Sequence, residues 1–149
     1  MADQVIRENS MTLEFLSLPE NVGLARVAVA TFAAQVDITL NEMEEIKVAV
    51  SEAVSNAIIH GYDGEPRGKV RVTAERDSSG LTITVTDWGR GIADIAQAMQ
   101  PAFSTDQERM GLGFAFMQSF MDGLEVTSEP DQGTQVRMFK KYKGERPGN

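Results

Sequence analysis

The chain has 149 residues, with 14 Lys+Arg against 22 Asp+Glu and a formal net charge of −8. That balance argues against a domain that grips nucleic acid through a basic face. The absence of cysteine removes disulfides, thiolate metal sites and a cysteine nucleophile, and the single histidine, His60, is all that a histidine-based triad or metal site could use.

An apolar share of 42% with 24% charged residues is ordinary for a globular chain. The length suits one domain spanning residues 1–149, ordered from about 11 to 141. No apolar run approaches the ~20 residues of a membrane span, and residues 1–10 lack the apolar core of a signal segment. A soluble, cytoplasmic protein is expected.

Met11 to Leu18 alternates in part, with Met11, Leu13 and Phe15 on one side, and predicts a strand that Pro19 ends. From Glu20 to Gln35, Val22, Ala25, Val29 and Phe32 recur at helical spacing, with Arg26 beside that stripe. Thr39 and Glu42 form a capping box, S/T-x-x-E, ahead of a helix from Leu40 to about Ile59. Its core stripe is Met43, Ile46, Val50, Ala53 and Ala57, and Gly61 and Gly64 stop it. Lys69–Glu75 and Leu81–Thr86 alternate with period two around Asp77-Ser78-Ser79-Gly80 and predict a hairpin. Residues 92–110 predict a short helix and a mobile loop. A helix is expected to open at Gly111-Leu112-Gly113 and run to about Met121, before two strands, Leu124–Ser128 and Thr134–Tyr142. The order β-α-α-β-β-(α)-α-β-β implies an α+β fold: a two-layer sandwich whose sheet is mixed and mostly antiparallel, with helices on one face.

Three segments could carry chemistry. Glu52, Asn56 and His60 are four apart and share a helical face, although any amphipathic helix has a polar face. Asp87-Trp88-Gly89-Arg90-Gly91 follows a strand. Its glycines let backbone approach a ligand and its aspartate could accept from an amino group, but an ordinary tight turn has the same composition. Gly111-Leu112-Gly113-Phe114 would offer free N–H groups to an anion if it opens a helix. The Walker pattern and the eukaryotic-type kinase signatures are absent.

Their order is more specific than any one of them. Glu52-Ala53-Val54-Ser55-Asn56-Ala57-Ile58-Ile59-His60-Gly61-Tyr62 resembles the N box of the GHKL ATPase/kinase superfamily. Asp87–Gly91 resembles its G1 box, Met110–Phe114 its G2 box, and Gly133-Thr134 its final G-T. The compact length, Leu24-Ala25-Arg26 and the run Glu52–Tyr62 are most similar to the anti-sigma factor serine kinases of Gram-positive bacteria, over about residues 11–141.

The resemblance implies a Bergerat-type fold and a set of roles. Asp87 would accept from the adenine amino group, and Gly89 and Gly91 would admit the base and sugar. Asn56 would ligate Mg²⁺, whose hardness suits an amide oxygen. Gly111 and Gly113 would hold the phosphates of ATP, with ADP as product, and Arg109 would contact the γ-phosphate. Thr134 would stand near the base. Glu52 would be the general base that activates a serine hydroxyl on a protein substrate.

Arg26 would dock partners: a sporulation sigma factor of the sigma F type, and the anti-anti-sigma factor that is phosphorylated. A homodimer through the N-terminal strands is implied, with no direct contact to nucleic acid or membrane. A stress-response (sigma B) relative, a nucleotide-gated sigma-binding module with little catalysis, and a histidine-kinase catalytic domain are the alternatives. Trp88, Arg90 and Met110 depart from the residues common at their positions, and the segment Ser104–Arg109 is shorter than the pattern.

Overall fold

The computed structural model describes residues 7–100 and 106–142, with only the backbone of residues 106–109. Strand β1 (Asn9–Leu16) is followed by helices α1 (Asn21–Ala33) and α2 (Leu40–Asn56), and α2 ends in a π-helical turn, Ala57–Gly61. Then come β2 (Lys69–Arg76), β3 (Gly80–Asp87), the short α3 (Ile95–Ala98), α4 (Asp106–Phe120), β4 (Gly123–Glu129) and β5 (Gly133–Lys141). The strands lie in the order β1-β2-β3-β5-β4. All four pairings are antiparallel, so the sheet is purely antiparallel rather than mixed. No described helix is long and apolar enough to cross a membrane.

Period two decides which face of the sheet is covered. Val70, Val72 and Ala74 of β2, Leu81, Ile83 and Val85 of β3, and Val136 and Met138 of β5 are buried under the helices. Thr82, Thr84 and Thr86 lie half-exposed on the opposite face. Met11, Leu13 and Phe15 stand opposite Ala74, Val72 and Val70, so the alternation in β1 places them on the helix side. Among the described residues, the outer edge of β1 has no partner strand.

The capping box of α2 is formed. Thr39 Oγ1 accepts from the Glu42 N–H at 3.0 Å, and Glu42 Oε1 accepts from the Thr39 N–H at 2.8 Å. Replacing Thr39 with alanine is expected to cost about 1 kcal/mol, read as a lower denaturant midpoint with unchanged slope. Behind the cap, Ile46, Ala49, Val50, Ala53 and Val54 bury the inner side of the helix.

Lys140 is a buried cation on the core side of β5. Its ammonium donates to Glu45 Oε1 at 2.8 Å and to the Phe120 carbonyl at 2.5 Å. The ion pair and the helix C-terminus together offset the cost of burying the charge. They also join β5, α2 and the end of α4.

Helix α4 departs from expectation. It begins at Asp106, so Gly111 and Gly113 lie inside it rather than at its start. The reason is the apolar stripe: Met110, Phe114, Met117 and Met121 are all buried at helical spacing and carry the helix through both glycines. Each glycine costs about 1 kcal/mol of helix propensity relative to alanine, which continuous burial on one side outweighs. The short helix expected within residues 92–110 is α3. Residues 106–110, expected in the mobile loop, belong to α4, and residues 101–105 of that loop lie outside the described residues.

Candidate functional site: a cavity between the helices and the sheet

A cavity of about 350 Å³ opens between α2, α4 and the sheet. That is the size range of small-molecule sites. Asn56, Asp87, Gly91 and Thr134, from three separate segments of sequence, line it together. Apolar walls come from Ala53, Val85, Ile92, Met110, Phe114 and Val136. Met110, where a small polar residue is usual in the pattern, thus contributes a thioether to the wall.

Asp87 ends β3 on the buried side and is 5% exposed. Burial pushes its carboxyl up from 3.8 to about 6, partly countered by the N–H groups of Gly89 and Thr134. The Gly89 N–H donates to Oδ1 at 2.9 Å. Two glycines make this packing possible. A methyl group on Gly61 would stand 2.9 Å from the Asp87 carboxylate, and one on Gly89 would stand 1.9 Å from the Gly61 carbonyl oxygen. Backbone therefore lies directly on backbone where the π-helical turn meets the turn after β3. Gly61 acts as more than a helix stop, a role its composition alone could not reveal.

Asn56 sits at the junction between α2 and its π-helical turn. It lines the cavity, and its Nδ2 is buried without a hydrogen-bond partner among the described residues. Exchange of the amide N and O positions would instead leave an unpartnered oxygen there. Glu52, one turn earlier, is half-buried. It makes no hydrogen bond or ion pair among the described residues, and burial alone raises its carboxyl pKa. The two polar groups converge on α4. A methyl on Gly113 would stand 3.0 Å from Glu52 Oε1 and 3.3 Å from Asn56 Nδ2. Gly113 is thus explained by close approach of two helices.

The expectation that Gly111 and Gly113 present free N–H groups to an anion is not met in this structure, because those groups lie within the helix. The side chain of Arg109 lies outside the described residues. Arg26 does not line the cavity. It donates from Nη1 to Ser51 Oγ at 3.2 Å and so reaches the residue before Glu52. His60 is buried, and its carbonyl accepts from Arg90 Nε at 2.7 Å.

This combination, a purely antiparallel sheet under helices with a cavity between Asn56 and Asp87, defines a histidine kinase-like ATPase domain, and the sequence model of that family matches residues 15–140. Among solved structures, the RsbU and RsbW domains of a Mycobacterium tuberculosis protein superpose with a TM-score of 0.66 at 17% identity, covering 89% of this chain and 31% of that one. The catalytic domain of the histidine kinase ThkA does so with a TM-score of 0.53 at 17% identity, covering 88% and 97%. Those likenesses establish the fold.

Sequence relatives are much nearer. An anti-sigma F factor of Clostridium botulinum is 50% identical over 137 residues, 91% of this chain and 96% of that protein. One from a Thermoanaerobacter species is 52% identical over 134 residues, 89% and 93%. The chain belongs to the anti-sigma F factor family.

Proposed function

We propose that the protein is an anti-sigma factor and an Mg·ATP-dependent protein serine kinase. It would bind and inhibit a sporulation sigma factor of the sigma F type and phosphorylate the matching anti-anti-sigma factor on serine. The observation that carries the kinase part is the Glu52 carboxylate. It is a half-buried base with no cation among the described residues to quench it, one helical turn from an unpartnered amide at the cavity. A serine hydroxyl is a poor nucleophile until a base takes its proton.

The residues that line the cavity suit a nucleotide base and a hard metal ion. No group of three or more acidic or histidine ligands forms a metal cage among the described residues. Mg²⁺ does not need one, since it is usually held by one or two protein oxygens plus phosphates and water. Asn56 would hold it, and when bound it would neutralise phosphate charge. Asp87 would accept from the adenine amino group at the closed end, with Gly91 and Thr134 beside the base. Gly89 would support the turn from below. Arg109 and the Gly111–Gly113 backbone would meet the phosphates, which requires the start of α4 to rearrange. Glu52 would take the serine proton. Arg26, tied to Ser51, would present a docking cation from α1, and the free edge of β1 supports a homodimer through the N-terminal strands. A chain of charge −8 has the sign that attracts a basic, DNA-binding partner.

The test is direct. The protein is mixed with ATP, Mg²⁺ and the anti-anti-sigma factor, and phosphoserine is sought by mass spectrometry. Its absence, with bound ATP confirmed, overturns the kinase part. The helical state of Gly111–Gly113 favours a second reading, a nucleotide-gated sigma-binding module with little catalysis. Stoichiometric sigma capture without turnover would select it.

Gly113→Ala separates packing from chemistry. Alanine is the better helix former by roughly 1 kcal/mol, so the melting midpoint is expected to hold or rise. The added methyl pushes on Glu52, so phosphoserine formation is expected to fall. A variant with both unchanged would show that the Gly113 contact with Glu52 is incidental.

A further inference from the structure

We propose that Arg90 is a positioning residue. It fastens the turn that presents Asp87 to the end of the helix that presents Asn56, and so sets how tightly nucleotide is held rather than how fast phosphate is transferred. This rests on reading the cavity as a nucleotide site.

The bonds are specific. The backbone N–H of Arg90 donates to the Gly61 carbonyl at 2.9 Å, and its Nε–H donates to the His60 carbonyl at 2.7 Å. These carbonyls end the π-helical turn, where carbonyl groups lack partners in the helix and a cation is favourable. From the other side, the Arg90 carbonyl accepts from the Asp131 N–H at 2.7 Å, which ties in the β4–β5 turn. One residue thus joins three segments around the cavity wall it helps to form. The ion pair of Nη1 with Asp63 at 3.0 Å is more than half exposed on both sides and contributes little. The carbonyl bonds matter because Gly61 carries both neighbours. Its backbone lies against Gly89 and against the Asp87 carboxylate, with no room for one methyl group. A shift of His60–Gly61 therefore moves Asp87 relative to Asn56.

The experiment uses the full chain. ADP binding is measured by calorimetry and by the emission of Trp88, the sole tryptophan, two residues from Arg90. Arg90→Ala is expected to weaken ADP binding about tenfold, the scale of a lost charge-assisted hydrogen bond. KM for ATP should rise by a similar factor with kcat at saturation within about twofold, the mark of lost binding common to ground and transition states. Arg90→Lys should recover part of the affinity, since an ammonium can reach one carbonyl but lacks the guanidinium fork. Asp63→Ala should bind ADP like the parent.

Unchanged ADP affinity in Arg90→Ala overturns the proposal. So does collapse of the nucleotide-free melting midpoint in the Ala and Lys variants alike, which would mark Arg90 as merely structural. If the parent chain binds no ADP, the nucleotide reading fails before Arg90 is tested.

Discussion

Glu52→Gln is expected to bind ATP and ADP as the parent does, and to form phosphoserine roughly 10²–10⁴-fold more slowly, the range that a positioned general base contributes. The glutamine keeps the shape of the side chain beside Gly113, so α2 and α4 should pack unchanged. Only the proton acceptor is lost. The environment of Glu52 sharpens the expectation. Burial raises its pKa with no opposing cation among the described residues. A raised pKa makes the carboxylate a stronger base when ionised, and it moves the pH at which the base is lost upward. The rate should fall as pH drops through the Glu52 pKa, because the protonated acid cannot accept the serine proton. In Glu52→Gln that acidic limb should vanish from the pH profile. Phosphoserine formation is followed under single-turnover conditions with nucleotide saturating. A variant that phosphorylates at the parent rate would remove Glu52 from the mechanism and assign the serine proton to another acceptor.

Much of the site was legible because each of its parts has a local cause. The Thr39–Glu42 box needs only a hydroxyl and a carboxylate three residues apart, and both of its bonds form. Glu52 and Asn56 share a helical face by arithmetic. Asp87 falls on the buried side of β3 because the alternation of Leu81, Ile83 and Val85 continues to it. What the sequence hid was contact between distant segments. Gly111 and Gly113 looked like a helix start because glycine is common there. The burial of Met110 and Phe114, which only the packed structure shows, carries the helix through them. Gly61 looked like a stop signal, yet its missing side chain is what lets the Asp87 carboxylate and Gly89 approach. Arg90 stood out only as a departure from a pattern. Its partners, His60 and Gly61, are some thirty residues away and meet it only because α2 ends as a π-helical turn under β3.

The same geometry makes Asp87→Asn change stability and binding in opposite directions. The Asp87 carboxyl has its ordinary value of 3.8 in the unfolded chain and is pushed up to about 6 when folded, chiefly by burial. A folded pKa above the unfolded one means that ionisation opposes folding. The penalty is absent below 3.8, grows between 3.8 and about 6, and is fully present above. Its full size is at most about 3 kcal/mol. Asparagine removes the charge and keeps one oxygen to accept from the N–H groups of Gly89 and Thr134. Thermal midpoints measured against pH should therefore show Asp87→Asn more stable than the parent at pH near 7.5, with the difference shrinking to nothing near pH 4. Nucleotide binding should move the other way. An ionised acceptor facing an amino group becomes a neutral amide with a donor of its own, so ADP affinity at neutral pH is expected to drop at least about tenfold. A buried charge kept at the expense of stability is what a recognition site requires. An Asp87→Asn chain that is less stable than the parent at neutral pH would show that the Asp87 carboxylate is a structural anchor. One that binds ADP equally well would show that it does not face the base.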